Sequence, residues 1–195
     1  MNDSEWGLFS SAGATYAEFN IVFDEDYITV DKIAARARAQ KRKTGLDLLV
    51  VDHLGLIPKD EKTNEATAMS RITGALKRLA MELNIPVIAL SQLNRKVEDR
   101  QDKRPMMSDL RDSGSIEQDA NMVLFPWRGA YYFDDRNPNE AEIIVAKNRN
   151  GKTCLDGVKV GWSGRHQKFT KHIDDYTPEM TKLTEKYNAD NPWDI

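Results

Sequence analysis

The chain has 195 residues, with 28 Lys and Arg against 31 Asp and Glu. Its formal net charge of −3 excludes a polybasic protein that coats nucleic acid through bulk charge. A hydrophobic share of 40% allows one compact domain with a lean core, and no apolar run reaches the ~20 residues of a membrane-spanning helix. The single cysteine, Cys154, and an acidic start without a signal-peptide pattern predict a cytoplasmic protein without disulfides.

Helix and strand patterns alternate in the first half of the chain. A helix is predicted between Thr29, which suits an N-cap, and Gly45, which suits a C-terminal stop. Residues 46–52 predict a buried strand, 70–84 an amphipathic helix and 87–91 a second buried strand. Apolar strands separated by helices are typical of an α/β fold with a parallel sheet covered on both faces.

The second half carries strand patterns with no helix between the last of them. Residues 122–127 and 141–147 predict two more strands, and Val158, Val160 and Trp162 alternate as a fifth strand would. The last two strands are joined by a polar turn, which predicts a C-terminal β-hairpin appended to the α/β core.

Two segments carry few core residues. Residues 94–111 are highly charged and lack apolar spacing, which predicts a mobile loop of the functional kind. Residues 171–195 predict an acidic, flexible tail that follows a single domain over residues 1–170.

Two polar side chains follow predicted parallel strands at the edge where such sheets bind ligands. Asp52 ends the first strand, and an acid in this place holds Mg²⁺ in enzymes that handle phosphate groups. Gln92 follows the second strand, and its amide can donate to a γ-phosphate or accept from an attacking water. Taken alone, both positions also fit ordinary turn chemistry.

A third candidate is the polar stretch over residues 109–120, where Gly114 lies among small hydroxyl side chains. Such a segment can bring backbone N–H groups and the Arg111 side chain close to phosphates. It equally fits a helix N-terminus with Ser113 or Ser115 as the N-cap. Both interpretations can hold together, because helix N-termini attract anions.

Residues 146–153 match a relaxed phosphate-loop pattern, with Ala146 in place of its first glycine. A phosphate loop opens a helix, whereas the residues after Thr153 alternate as a strand. We therefore interpret the segment as a hairpin tip. Its Lys147 and Arg149, one residue apart, point the same way on an extended strand and suit phosphate contact, although a solvated basic hairpin has the same pattern.

The remaining polar groups give weaker evidence of function. The basic run over residues 36–43 is interpreted as a solvated helix face rather than a nucleic-acid contact. The three histidines, His53, His166 and His172, do not have metal-ligand spacing.

Three stretches, taken in order, resemble the RecA-like motor domain of DnaB-type hexameric replicative helicases, a branch of the phosphate-loop NTPases. They are LDLLVVDHLGL at 46–56, the stretch from NIPVIALSQ to DANMVLF at 84–125, and AEIIVAKNRNGKT at 141–153. Residues 91–119 are the most specific part. The resemblance implies a RecA-like α/β fold with ATP and Mg²⁺ as cofactors.

The resemblance also implies roles at the nucleotide. Asp52 is similar to the Walker B acid, which holds Mg²⁺ through water. Gln92 resembles the sensor that couples the γ-phosphate to the DNA loops. Lys147 and Arg149 resemble the basic finger pair that reaches the nucleotide of a neighbouring subunit.

For DNA, the resemblance implies that Arg111, Asp112 and Gly114 belong to a central-channel loop holding one DNA strand by its backbone. It further implies a homo-hexameric ring, single-stranded DNA as ligand, and primase and a helicase loader as partners. His53 and Gly55 replace the Tyr and Gln usual in bacterial members, which favours a phage origin.

The chain departs from the family because it begins after the place of the phosphate loop, the Walker A element. We therefore expect the C-terminal part of a 5′→3′ DNA-unwinding motor, with a gap in its sheet between the strands at 87–91 and 122–127. On its own the chain is then expected to be inactive, so that the ring or a complementary half carrying the phosphate loop completes it.

Two other functions remain open at this point. One is a catalytically inactive single-stranded-DNA-binding or regulatory subunit of a helicase or recombinase ring. The other is a self-sufficient ATPase that uses Gly151, Lys152 and Thr153, and it requires a helix after Thr153.

Overall fold

A computed structural model of the chain describes residues 3–26, 29–59, 63–110, 113–164 and 166–171. The predictions for residues 172–195, including the flexible tail, lie outside this range. The helices and strands are α1 (Asp3–Ala17), α2 (Val30–Lys43), β1 (Leu49–Val51), α3 (Glu65–Leu83), β2 (Val87–Ala89), α4 (Ser113–Asp119), β3 (Met122–Trp127), β4 (Glu140–Asn148), β5 (Cys154–Ser163) and β6 (Lys168–Thr170).

The strands form two sheets, and the predicted α/β class with a parallel sheet is confirmed. Strands β1 and β2 are parallel, with Val50 opposite Ile88. The second sheet is antiparallel in the order β3-β4-β5-β6. It is larger than the predicted hairpin, since β3 pairs with β4 instead of joining the parallel strands. Among the described residues, β2 and β3 share no ladder, and the predicted gap between them stays a prediction.

Local capping chemistry sets the helix ends. Helix α2 begins after Thr29, whose Oγ1 accepts from the Lys32 N–H, and it stops before Gly45, whose φ of +90° suits glycine. Helix α3 begins after Asn64, whose Oδ1 accepts from the Ala66 N–H at 2.9 Å. It therefore starts five residues before the predicted Ser70, and its buried apolar stripe reaches back to Ala68 and Met69.

One buried cluster joins the two sheets. It includes Val51 of β1, Leu76 of α3, Phe125 of β3 and Ile144 of β4, each 8% exposed or less. A second cluster packs α2 against α3, with Leu79 only 1% exposed. Burying one such Leu contributes roughly 1.5–3 kcal/mol. The core thus holds α3 and the ends of β1 and β2 in one body with the antiparallel sheet.

The parallel pair is covered by helices on one face and exposed on the other among the described residues. Val50 and Ile88, paired in register, are 52% and 51% exposed, and Leu48 and Leu90 continue the same face. The sequence pattern predicted that both faces of the parallel sheet are covered, because strands that are apolar throughout normally lie between two layers of helices. We call this surface the bare face.

Helix α1 was not predicted from the sequence, and no residue of it belongs to the two buried clusters of the described chain. Its aromatic side chains are exposed, and Trp6 and Phe9 stack edge to face at 5.9 Å. None of the described helices is both long and apolar enough to cross a membrane.

Candidate nucleotide and nucleic-acid site

Asp52 and Gln92 lie close together at the carboxyl edge of the parallel sheet. Leu90 N–H donates to Val51 O and Leu54 N–H donates to Leu90 O, each at 2.9 Å, so the chain segments after β1 and β2 stay paired. Both candidate side chains are exposed at this edge. The structure therefore brings together the two residues that the sequence placed at the ends of neighbouring strands.

His53 connects these two residues. Its Nδ1 accepts from the Gly55 N–H at 3.1 Å, and its Nε2 lies 3.3 Å from Gln92 Nε2. The peptide bond between Asp52 and His53 is cis. Sequence reasoning considered His53 only as a metal ligand and a family marker, and a pattern of spacing could not have shown its contact with Gln92.

The chain after Gln92 is tied directly to the chain before Arg111. Leu93 and Leu110 form an antiparallel bridge, and Asn94 N–H donates to Asp109 O at 2.7 Å. This bridge places the segment after the second parallel strand beside the segment that leads into the predicted DNA loop. Arg111 and Asp112 themselves lie outside the described residues.

The loop predicted as mobile over residues 94–111 is ordered through Leu110. Asp109, only 4% exposed, accepts from Arg100 Nη1 at 2.8 Å and from the Met106 N–H at 2.8 Å, and Arg100 Nη2 donates to its second oxygen. The hydrogen bonds from Arg100 hold the pKa of the Asp109 carboxyl below its usual range, against the effect of burial. The prediction of mobility was wrong because ion pairing replaces the apolar spacing that the sequence lacks.

Arg104 anchors the same loop to the antiparallel sheet. It donates to the carbonyl oxygens of Leu155 and Asp156 at 3.3 and 2.9 Å and pairs with Glu142 at 2.7 Å. Its guanidinium also lies 4.6 Å from the ring centroid of Trp127. The loop is therefore fixed at both ends and in its middle.

Gly114 lies in the first turn of α4, where the sequence predicted a helix N-terminus. Among the described residues outside its own turn, nothing lies within 4 Å of the position that a Cβ on Gly114 would occupy. At the other end of α4, the Lys147 ammonium donates to Glu117 O, and Arg149 Nη2 donates to Gln118 O at 2.7 Å. The two cations thus donate to neighbouring carbonyl groups at the end of α4, and their contact with phosphate stays a prediction.

Residues 146–153 form the predicted hairpin tip and not the alternative phosphate loop. Strand β4 runs to Asn148, a turn follows, and strand β5 begins at Cys154. In the described stretch 154–164, no helix opens whose N–H groups could hold phosphates. The self-sufficient ATPase that needed Gly151, Lys152 and Thr153 in a phosphate loop is therefore excluded.

An aromatic cavity of about 300 Å³ has Leu93 in its wall. Arg128 stacks on the Trp162 ring at 4.3 Å, and neither Arg128 Nε nor Trp162 Nε1, both buried, has a hydrogen-bond partner among the described residues. Burial raises the pKa of the Tyr132 hydroxyl in its wall. Sequence reasoning missed this cavity, although the density of aromatic residues over 127–133 was a signal for it.

The donor set fits Mg²⁺ held mainly by water and phosphate. Within the described ranges, no group of three His, Cys, Asp or Glu side chains is arranged as a metal site. Mg²⁺ in enzymes that handle phosphate is commonly held by one or two carboxylates together with substrate oxygens. The exposed carboxylate of Asp52 at the sheet edge meets that requirement.

The fold and the site define an α/β domain of the RecA-like ATPase class. A family model described as "DnaB-like helicase C terminal domain" matches residues 1–171. The chain belongs to this family.

Its relatives are replicative helicases. It is 48% identical over 173 residues to the replicative DNA helicase DnaB of Geobacillus stearothermophilus and 46% identical over 173 residues to the replicative DNA helicase DnaC of Bacillus subtilis (strain 168). Each match covers 87% of this chain and 38% of the relative, so the chain spans well under half their length. The phage origin stays a prediction.

Two solved structures have the same fold. One is described as an "ATPase Domain", and it superposes with a TM-score of 0.82 at 37% identity, covering 88% of this chain and 62% of that domain. A "DnaB-Like Replicative Helicase" solved to show "Its Interactions With Primase" gives a TM-score of 0.81 at 37% identity, covering 88% and 42%.

Proposed function

We propose that the chain is the C-terminal part of an ATP-dependent, hexameric replicative helicase that unwinds DNA in the 5′→3′ direction. The observation that carries the proposal is the continuous path from Asp52 through His53 and Gln92 to the Leu93–Leu110 bridge. Gln92 directly precedes Leu93 and Arg111 directly follows Leu110, so one backbone bridge joins the group that senses phosphate to the segment that holds DNA.

At the nucleotide, Asp52 would hold Mg²⁺ through water, and the metal would supply charge neutralisation at the phosphates. Gln92 donates its amide N–H to the γ-phosphate. Loss of that phosphate removes the acceptor and frees the Gln92 backbone to shift. Because Leu93 bridges Leu110, such a shift is transmitted to the DNA segment.

At DNA, Arg111, Asp112 and Gly114 form the loop that holds one strand by its backbone. Contacts of this kind go to phosphate and sugar, and carry no base specificity. The net charge of −3 is compatible with this role, because positive charge need only line the channel of a ring.

Lys147 and Arg149 act on the nucleotide of a neighbouring subunit. In the isolated chain both donate to neutral carbonyl oxygens at the end of α4. A phosphate is a stronger acceptor for a guanidinium than a carbonyl is. In an assembled ring, Lys147 and Arg149 therefore leave the carbonyl oxygens of α4 and bind the phosphates of the neighbouring nucleotide. Hydrolysis then depends on assembly of the ring.

The aromatic cavity suits the planar base of the nucleotide. Trp162 and the Arg128 guanidinium that stacks on its ring line the cavity with flat surfaces. Leu93, which directly follows Gln92 in the chain, is part of the cavity wall.

The bare face supports a complementary half that carries the phosphate loop. Apolar strands of a parallel sheet are normally covered on both faces, and Val50 and Ile88 are half exposed here. The chain matches only 62% of the similar solved ATPase domain, which leaves part of that domain to be supplied by such a half. We propose that such a half, or a ring of copies that includes it, covers this face, and that primase and a loader act on the ring in the cytoplasm.

The test is co-expression of the chain with the part of the G. stearothermophilus helicase that it does not match. The expected result is a stable complex that hydrolyses ATP faster with single-stranded DNA, and that loses hydrolysis with Asp52→Asn but keeps it with the exposed-surface control Asp47→Asn. A complex that binds DNA without hydrolysis in any combination contradicts the motor.

Binding of DNA without hydrolysis is the result expected of the alternative function, an inactive DNA-binding or regulatory subunit. The strand after Thr153 favours it, since the described chain then holds no phosphate loop at residues 146–153.

A further inference from the structure

His53 lies between a fixed donor and the sensor amide. The Gly55 N–H donates to its Nδ1 at 3.1 Å, on one side of the ring. On the other side, its Nε2 faces the amide of Gln92 at 3.3 Å. The backbone contact holds the ring in place, whereas the Gln92 amide is free to rotate about its last bond.

The Gly55 contact fixes where the imidazole carries its proton. A backbone N–H can only donate, so Nδ1 accepts and is unprotonated. A neutral imidazole carries one proton, which therefore resides on Nε2. The group that faces this Nε2–H must be an acceptor.

The Gln92 amide can meet this requirement in one of its two orientations. With Nε2 of Gln92 towards the ring, two N–H donors face each other. Rotation of the amide by half a turn exchanges its nitrogen and oxygen with almost no change of shape. It then presents Oε1 to the ring and directs its NH₂ group away from His53.

We propose that His53 is a positioning residue that holds the Gln92 amide in this orientation. His53 Nε2–H donates to Gln92 Oε1, and the Gln92 NH₂ group points outward at the sheet edge beside Asp52. The NH₂ group is the half of the amide that can donate to a phosphate oxygen, whereas the amide oxygen would repel it. The tautomer of His53 does not depend on any function of Gln92, whereas the use of the NH₂ group rests on the proposed function of Gln92.

The first experiment is nitrogen NMR of the full chain labelled with ¹⁵N-histidine, at about pH 8, where an ordinary imidazole is neutral. The signals of His53 are those that disappear in His53→Phe, or, where that variant does not fold, those that respond to substitution at Gln92. The expected result is a protonated Nε2 and a bare Nδ1. A proton on Nδ1 overturns the proposal.

Variants at Gln92 test the contact itself. Gln92→Leu removes the acceptor, so we expect exchange of the His53 Nε2 proton with water to rise about tenfold or more while the tautomer stays the same. Gln92→Glu keeps an acceptor, so the proton stays protected. Gln101→Leu, in the exposed loop, is the matched control. Equal exchange in the original chain and in Gln92→Leu overturns the contact.

Hydrolysis by the co-expressed complex separates the two proposals. His53→Phe is expected to lower kcat about tenfold or more with a smaller change in KM, because a misoriented amide costs the reaction and not the binding. Gln92→Glu is expected to keep the NMR signature and lose hydrolysis. Should Gln92→Leu leave kcat unchanged, the proposed function of Gln92 fails while the NMR result stands. Should Gln92→Leu lower kcat and His53→Phe not, the positioning role fails.

Discussion

Asp109 and Arg100 form a two-point ion pair in the most highly charged stretch of the chain. Arg100 Nη1 donates to Asp109 Oδ1 at 2.8 Å while Nη2 donates to Oδ2, and Asp109 is almost completely buried. The Asp109 carbonyl also accepts from Asn94. One carboxylate thus closes a loop whose two ends lead to Gln92 and Arg111.

We expect Asp109→Asn to destabilise the chain by about 2 kcal/mol at neutral pH, because it leaves Arg100 without its charged acceptor. The pKa of Asp109 is depressed in the folded state. Its contribution is therefore fully present above about pH 4, the ordinary Asp value, and is lost as the pH falls through the folded pKa. Urea unfolding of both chains between pH 7 and pH 3 checks this.

The control for this prediction is Asp102→Asn. Asp102 is exposed and lies 3.9 Å from Arg100 Nε, a separation at which a surface pair contributes little. We expect the free energy of unfolding to change by less than about 0.5 kcal/mol, and its dependence on pH to stay as in the original chain. Equal costs for the two substitutions, or a cost for Asp109→Asn that persists in acid, would contradict the ion-pair explanation.

Much of the fold could be predicted because its signals are local. Thr29, Gly45 and Asn84 cap helices through their own side chains or backbone, and residues 122–127 form the predicted strand. The partner of a strand is not a local property. Strand β3 pairs with β4 across a loop, and the alternating burial along 122–127 is the only sign of that pairing within the strand itself.

The candidate site was predictable to the extent that strand ends place residues. Asp52 and Gln92 follow β1 and β2, so their common edge follows from parallel pairing. The roles of His53 and Asp109 depend on which donor meets which acceptor in three dimensions. Charged residues without apolar spacing, as in 94–110, therefore indicated mobility where ion pairs produce order.

Lys152→Ala is expected to leave nucleotide binding by the chain unchanged. Lys152 lies in the turn between β4 and β5, where no helix N-terminus is available for phosphates. Titration of the purified chain with a fluorescent ATP analogue, in the presence of single-stranded DNA, measures this. Binding that disappears only in Lys152→Ala would restore the phosphate-loop interpretation.

Arg111→Ala is expected to weaken single-stranded DNA binding by a similar factor for all base sequences. Loss of one phosphate contact should also reduce the slope of log K against log salt by about 0.7. Fluorescence anisotropy in the co-expressed complex, over a range of salt, measures both. Arg42→Ala, on the basic outer face of α2, is the matched control. An unchanged slope in Arg111→Ala, or an equal loss in Arg42→Ala, would count against a channel contact.

Substitution of Val50 and Ile88 together by Ser is expected to leave the stability of the isolated chain within about 1 kcal/mol, because both are half exposed. The same double variant should lose the complex with the complementary half, since burying each side chain there contributes roughly 1.5–3 kcal/mol. Urea unfolding and size-exclusion chromatography measure the two effects. Val51→Ser, at a position 8% exposed, is the opposite control and should destabilise the chain itself. If the double variant still forms the complex, the complementary half binds a surface other than the bare face.

Arg149→Ala is expected to abolish ATP hydrolysis by the complex, by about a thousandfold, while nucleotide binding stays nearly intact. Folding should change little, because in the chain this side chain is exposed and donates only to Gln118 O among the described residues. A mixture of two inactive variants tests whether Arg149 acts across subunits. In mixed rings, an Arg149→Ala subunit keeps Asp52 and can receive Arg149 from an Asp52→Asn neighbour, so roughly one interface in four regains both groups. Recovery of hydrolysis on mixing supports action in trans, and its absence would mean that Arg149 serves the nucleotide of its own subunit.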